Sequence, residues 1–569
     1  MSKRDFCIIG LLVVWFLTSL AALSGMYHLW WTRERVLYLG KTVQDQRAAI
    51  FQRAGLPLET LDLAKKADMA WPLDLDYEAA GSEVRLSYLK YLLLPRSPSG
   101  SGGYRIEEHK RGYSLSPEIQ GNFKALPFST TAPTPQGFII SAAILLLAAF
   151  GLRRFGLSLP EGIGCALLLL CTLSVIAKGA FQSIDSAGWS MIAVAAAGAF
   201  ALRRRPPQPM KNSQGRKTRL ILPALIVVLF GTVLWSLLMA VVVGPDDWDA
   251  WAQWGPKAKI LALPGGNLSD VRHFVWGSGD YPLLWPALWA FSGWCAGGWE
   301  EQWSKAWGPL LLLLTAWQMG VLSFRFSRRI DAGLLTAAIF VSMPAVPLVA
   351  SWAYAEAPLW LFLVCATGRM LLWQQSGKNT DLLLAALFAA GAACTKNEGV
   401  FFVALSALWV IANSRRVRDL CLFLVPSMLT AGLWKAYAFW GLDASNRAMK
   451  TVQAMDWNWR QWLDILPAAA AYVLRIWSDV RQWNIVLPVV LLASVWIFFK
   501  GCRKDRINLL LPVAFLAGLL AVVLSHGPDW SWQLGAAWNR LTIQWLTVLV
   551  PVVVCGLGCR RTKPEAAAP

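Results

Sequence analysis

The chain has 569 residues, 56% hydrophobic and only 15% charged, with a mean hydropathy of +0.45. That balance excludes an ordinary water-soluble globular protein, which carries more charge and fewer apolar residues. A net charge of +19 would suggest nucleic acid for a soluble chain; here much of the excess sits in short basic clusters beside apolar runs, the pattern that orients membrane helices, so no nucleic-acid partner is expected.

From the N-terminus, MSKR leads into an apolar run from Phe6 to Met26. Its LTSLAALSG has the look of a secretory leader, but the rest of the chain is membranous, so 1–26 reads as a retained signal anchor. Residues 27–136 are soluble in character, with mixed charge through VLYLGKTVQDQRAAIFQRAGLP and a Gly/Ser-rich SPSGSGG. A small helical and irregular domain outside the cytoplasm is expected there. Within it RLSYLKYLLLP, 85–95, spaces apolar residues at helical intervals among basic ones, which suits a helix lying on the membrane or the bundle. Apolar runs near 137–152, 162–178 and 187–202 make a three-helix membrane module over 137–202. A basic linker, RRRPPQPMKNSQGRKTR at 203–219, separates it from a larger region, 220–558. There the runs recur near 220–243, 308–324, 332–350, 358–373, 381–395, 399–413, 421–440, 484–499, 508–525 and 541–558, and a tail, 559–569, follows.

A hydrocarbon core of about 30 Å calls for about 20 residues per helix, so the shorter runs must extend into polar flanks or thin the membrane. Each run is helical because lipid leaves no partner for a free backbone group. Two further stretches, 281–298 and 464–478, are apolar but crowded with Trp and broken by Pro or charge, and read as interfacial or half-buried pieces. The fold class is therefore an all-α polytopic membrane protein of about 14 transmembrane helices with an extracytoplasmic domain after the first. The ten cysteines lie mostly in or beside apolar runs without zinc spacing, as small buried hydrophobes.

A cytoplasmic N-terminus puts the linker, SRRVRD after Asn413, KGCRKDR at 500–506 and CRRTKPE near the end on the cytoplasmic side. The same parity places five unusual polar stretches on the opposite face: GPDDWDAWAQWGPKAKI at 244–260, GSGDYPLLWP at 277–286, WAYAEAP at 352–358, TKNEG at 395–399 and HGPDWSWQLGAAWNR at 526–540. In a bundle they line one cavity, to which they bring Trp248, Asp280, Tyr281, Tyr354, Glu398 and His526.

The chemistry of these stretches has a bland side, since Trp marks membrane interfaces and a carboxylate can simply begin a helix. Its functional side is specific. Asp247 or Asp249 can act as a base or, together, hold a divalent cation such as Mg2+ or Mn2+, while Lys257 and Lys259 attract an anion. If the segment is helical, Asp249 and Lys257 fall within about a quarter-turn of each other. Glu356 stands at the mouth of a crossing, and Lys396 and Glu398 lie between apolar segments, where ionisable groups are costly unless paired or used. Arg540 can grip a phosphate through its guanidinium, with Lys435, Arg447 and Lys450 around another outer loop, although interfacial cations also contact lipid phosphate. A substrate with an isoprenoid tail, a phosphate and a sugar matches each element, and indole faces suit sugar rings. A carboxylate would deprotonate the acceptor as the lipid phosphate leaves with inversion. Neither GxGxxG after a strand nor GxxxxGK[ST] is present, so no nucleotide donor is expected.

DDWDAWAQWGPKAKI, GDYPLLWP, YAEAP and TKNEG together resemble the integral-membrane glycosyltransferases of the GT-C superfamily, in particular bacterial relatives of dolichyl-phosphate-mannose protein mannosyltransferases and lipid A aminoarabinose transferases. The resemblance covers 220–558. It implies a GT-C helical bundle in the bacterial inner membrane, with an active site facing the periplasm or exterior, a polyprenyl-phosphate sugar donor, and a glycan, lipid or protein acceptor. The family's loop acid carries over to Asp249, in its WDAW…PKAK context, or to Asp247; its second outer acid falls on Glu356, and its donor-phosphate residues on Lys396 and Arg540. Two departures stand out. The acidic loop follows the fifth crossing rather than the first, which makes the preceding module extra, and Glu356 stands where many relatives have Asp. The competing readings are a transporter or flippase of lipid-linked sugars, which should need contacts on both faces, an O-antigen-ligase-like glycan transferase, and a noncatalytic scaffold that tolerates loss of Asp249 or Glu356.

Overall fold

The computed structural model describes residues 3–34, 77–80, 104–109, 112–116, 135–153, 156–181, 183–202, 218–245, 249–262, 268–271, 279–442, 459–525 and 530–558. The stretch 85–95 and the tail 559–569 lie outside these.

The membrane part is helical. In chain order the helices are α1 (Lys3–Leu29), α2 (Gln136–Leu152), α3 (Leu159–Phe181), α4 (Asp185–Leu202), α5 (Thr218–Val242), α6 (Gly255–Ala262), α7 (Leu284–Ala296), α8 (Trp307–Ser327), α9 (Ile330–Val341) and α10 (Ala345–Ser351). Then come α11 (Glu356–Ser376), α12 (Asn379–Ala393), α13 (Asn397–Asn413), α14 (Val417–Trp440), α15 (Trp459–Trp477), α16 (Val480–Trp483), α17 (Val486–Lys500), α18 (Arg503–Leu524) and α19 (Trp530–Gly558). Seven helices are long and apolar enough to cross a bilayer, or eight if α9 and α10, bent by 68° at their junction, form one span. The outward faces agree: Leu17, Phe230, Leu433 and Phe499 are exposed on helices that would shed water rather than meet it. This is the architecture of a multi-pass membrane protein.

Within region 27–136, where a helical and irregular domain is expected, the residues described between 35 and 134 form a small sheet. β1 (Tyr77–Ala80) pairs in parallel with β2 (Tyr104–His109), which pairs antiparallel with β3 (Gly112–Ser116). In YRIEEH and GYSLS aromatic and aliphatic residues recur at a spacing that also suits a pleated strand, and the local sequence alone did not separate the two periods.

Helix α11 is the axis of the fold. Its residues from Glu356 to Leu371 are all buried, and it packs against α8, α12 and α19. The stretch 281–298, expected as an interfacial or half-buried piece, is buried core from Pro282 to Gly293 and opens at its end. Trp285, Trp289 and Phe291 of α7 are fully buried, and Trp285 Nε1 donates to the Ala353 carbonyl at 3.1 Å. Two of its tryptophans pack on one another, with Trp285 and Trp289 rings 5.7 Å apart. Helix α15 is half-buried: Ala469 and Val473 face inward while Leu463 and Leu474 are exposed.

The run 332–350 is interrupted because Pro344 and Pro347 cannot donate backbone hydrogen bonds. The break is used for anchorage: Trp15 Nε1 of α1 donates to Ser342 Oγ at 3.0 Å, and Ser236 Oγ of α5 donates to the Pro347 carbonyl at 2.7 Å.

The N-terminal module is fixed to this core by small residues and one ion cluster. A Cβ at Gly137 of α2 would stand 2.3 Å from the Ser292 carbonyl of α7, so only glycine allows the helices this close. From α11, Arg369 gives Nε and Nη2 to the two oxygens of Glu161 on α3, at 2.6 and 2.8 Å, and Nη1 to Asp381 Oδ1 on α12, at 2.7 Å. Ser158 adds its N–H and hydroxyl to Glu161 Oε2, and Ser376 its hydroxyl to Asp381 Oδ2.

Candidate active site

The polar stretches expected to share a face meet at the ends of several helices. Asp249 precedes a π-helical turn, Ala250–Trp254, that runs into α6; Asp280 and Tyr281 precede α7; Glu356 opens α11; Lys396 and Glu398 flank the start of α13. Carboxylates in a first helical turn are favoured by the positive end of the helix dipole, which is the local reason Glu356 and Glu398 stand where they do. TKNEG is a turn that needs its glycine: a Cβ at Gly399 would lie 2.1 Å from the Ala392 carbonyl, so Gly399 lets α13 start tightly against the end of α12.

At the centre is a continuous chain of charges. Arg540 Nη1 of α19 lies 2.8 Å from Asp249 Oδ2 and 3.4 Å from Glu356 Oε1. Lys396 Nζ lies 2.9 Å from the same Glu356 oxygen and 3.0 Å from Glu398 Oε1. Burial alone would lower the pKa of Lys396, but Glu356 and Glu398 outweigh it and hold the group above the ordinary lysine value. Despite these contacts, Glu356 Oε2, Glu398 Oε2 and Arg540 Nε are buried without a hydrogen-bond partner among the described residues. Buried polar atoms are rarely left so, and these three lie in one group.

Beside this chain is a second group. Asp280 Oδ2 accepts from Lys435 Nζ and Asn397 Nδ2, each at 3.0 Å, while its carbonyl accepts from Trp434 Nε1 at 2.9 Å. Asn397 Oδ1 also accepts from Lys435. Burial pushes the Asp280 carboxyl up, and the Lys435 charge together with the two side-chain hydrogen bonds more than reverses this, so it lies below the usual aspartate range.

Lys257, expected to draw a donor phosphate, is fully buried. Its Nζ donates to the Tyr281 carbonyl at 2.8 Å and lies 5.8 Å from the Trp254 ring, which stacks on Tyr281 at 5.5 Å. Burial lowers its pKa to about 7, with Asp280 opposing the shift. It braces the Asp280–Tyr281 turn from within. The segment is helical as supposed, yet Asp249 turns to Arg540. Arg540 itself belongs to a helix that begins at Trp530, earlier than the run 541–558, and its guanidinium lies 4.8 Å from the Tyr354 ring.

Exposure separates the acids. The Asp249 side chain is 25% exposed, against 17% for Glu398, 12% for Asp280 and 1% for Glu356, so Asp249 is the most open of these carboxylates and Glu356 the most enclosed. Asp247, Trp248, His526, Arg447 and Lys450 lie outside the described residues. As for a cation held by Asp247 and Asp249, Asp249 takes a guanidinium as its partner, and no group of three or more His, Cys, Asp or Glu side chains gathers among the described residues. The described acids do not by themselves compose a metal site.

Two residues that the sequence did not single out fasten the end of α5, ahead of Asp249. Gln302 Nε2 donates to the Val241 and Val242 carbonyls at 2.5 and 3.1 Å, and Lys305 Nζ to those of Val243 and Gly244 at 2.8 and 3.1 Å. Together they satisfy the free carbonyls at the end of α5, the point from which the acidic loop departs. Their signal in the sequence was only polarity within EEQWSKAW. Asn397 was likewise hidden, as the middle of TKNEG. Compared with known proteins, the chain finds no matching family profile, curated protein or solved structure.

Proposed function

We propose that this protein is an inverting membrane glycosyltransferase that moves a sugar from a polyprenyl-phosphate donor to a glycan, lipid or protein acceptor at the extracytoplasmic face. The observation that carries the reading is the chain Asp249–Arg540–Glu356–Lys396–Glu398, assembled from distant polar stretches at one end of an apolar bundle and holding buried donor and acceptor atoms without hydrogen-bond partners among the described residues.

In this mechanism the acceptor hydroxyl gives its proton to the Asp249 carboxylate as its oxygen bonds to the anomeric carbon. The bond from that carbon to the phosphate oxygen breaks, and its electron pair stays on the leaving polyprenyl phosphate. Arg540 neutralises the leaving charge, with its Nε available as a further donor. Glu356 holds Arg540 and Lys396 side by side, with Tyr281 and Tyr354 packed beside the two cations. No step runs through a metal ion. The reading extends to about fourteen crossings of GT-C type, counting α4, α11 and the shorter apolar helices α2, α12, α13 and α17 beside the eight, to an inner-membrane location, and to residues 27–136 as an outer domain added to a catalytic region over 220–558.

The test is transfer of labelled sugar from a polyprenyl-phosphate pool in inverted and right-side-out vesicles, with Asp247→Asn, Asp249→Asn and Glu356→Gln beside the wild type. Transfer at the outer face that depends on Asp249 supports the proposal. Transfer retained by all three variants sinks it, and movement of the intact lipid-linked sugar without transfer makes the protein a carrier.

A further inference from the structure

A cavity of about 360 Å³ opens at the end of the bundle opposite the candidate active site, within the range of about 300–1,000 Å³ usual for small-ligand sites. The proposed reaction makes no use of it. The end of α11 contributes Trp373 and Gln374, the start of α12 Asn379, the end of α13 Asn413, and the start of α14 Arg416, Arg418 and Asp419; Lys504 comes from α18.

The lining is built in two layers. Its floor is a closed amide group: Gln374 Nε2 donates to Asn413 Oδ1 at 2.6 Å and to Asn508 Oδ1 at 2.9 Å, and Asn508 Nδ2 returns a bond to Gln374 Oε1 at 3.0 Å. Its rim is basic, with Arg416, Arg418 and Lys504 exposed. Between them Asp419 is an exception, a carboxylate whose side chain is only 7% exposed. Its Oδ2 accepts from Ser414 Oγ at 2.7 Å, but its Oδ1 accepts no hydrogen bond among the described residues, and Arg418 Nε stands 3.6 Å from it.

From this we infer a binding site for a phosphate ester that carries hydroxyl groups. Three cations at the rim suit a phosphate. A bare phosphate would leave Asp419 Oδ1 unsatisfied and place two anions together, whereas a hydroxyl on the ligand donates to that oxygen. Three rim cations against one acid favour a ligand of net negative charge, hence a phosphoglycerol group over the zwitterionic phosphoethanolamine. The ligand is either a lipid headgroup or a soluble ester, since both present the same atoms.

The test uses the purified full chain in detergent, with native mass spectrometry as the readout. The probes are phosphatidylglycerol, phosphatidylethanolamine, phosphatidylcholine and phosphatidic acid, and separately glycerol 3-phosphate. Phosphatidylglycerol is expected to bind at least tenfold more tightly than phosphatidylcholine. Arg416→Gln, Arg418→Gln and Lys504→Gln combined, all on exposed positions, should abolish that preference. Asp419→Asn should narrow the gap between phosphatidylglycerol and phosphatidic acid. If glycerol 3-phosphate competes at the same concentration, the occupant is a soluble ester; if it does not compete, the occupant is a lipid. Equal binding of phosphatidylglycerol and phosphatidylcholine, or a preference that survives the triple substitution, overturns the site whatever becomes of the proposed transferase activity.

Discussion

Helix α11 carries two buried ion clusters, one at Glu356 and one at Arg369, thirteen residues and about 20 Å apart along its axis. Around Arg369 every partner is matched: three guanidinium nitrogens, both oxygens of Glu161 and both of Asp381 have hydrogen bonds. Around Glu356 the ions are equally close, yet three polar atoms find no hydrogen-bond partner among the described residues. Charge buried in a protein is costly until paired, so a closed cluster reads as a fastening and an open one as a place where something else completes the set.

The largest effect that sharpens this contrast is on rate. Asp249→Asn should lower transfer by about 10²–10⁴-fold, as expected for loss of a general base. Its melting temperature should barely change, because the side chain is partly exposed. A large loss of stability with little loss of specific activity would move Asp249 to the structural side.

Arg369→Met should do the reverse. Leaving Glu161 and Asp381 buried and unmatched costs about 3–5 kcal/mol, seen as poor folded yield and an early denaturation midpoint, while the molecules that do fold retain their transfer rate. Replacing all three ions together with Glu161→Gln, Arg369→Met and Asp381→Asn should recover part of that stability.

Arg540→Lys keeps the charge but loses the planar fork, so transfer should fall by about tenfold, mainly in kcat if the guanidinium acts on the leaving phosphate. The smallest effect is a slope with pH. Burial depresses the Lys257 pKa to about 7, below its unfolded value, so between the two values the unfolded chain binds more protons. Stability therefore rises as pH increases through and above 7, and is lowest where Lys257 is charged in both states. Lys257→Met should flatten that rise in thermal unfolding measured from pH 7 to 10.

Much of this arrangement was legible in the residues because hydropathy and polarity are local. All fourteen apolar runs fall on helices, one of them broken, and all five polar stretches supply side chains to the same site, the last of them through Arg540. What escaped was whatever depends on a partner far along the chain. Glu161 and Arg369 are 208 positions apart, and nothing near either announces the other. The tryptophans of α7 carry the composition of an interfacial belt, and only their packing on each other and on Ala353 makes them core. The 68° bend needed Pro344 and Pro347 to be read together rather than as two tolerable prolines in one apolar run.

The grip of Arg369 on Glu161 also bears on how such a chain can be assembled. The linker at 203–219 looks like a seam, yet α3 on one side of it is bound to α11 on the other by ions and by the bonds of Ser158. The seam is one of sequence and not of cohesion. Two polypeptides split within the linker should find each other in the membrane and copurify, so the gene could be divided there, or once have been joined there, without separating the protein it encodes.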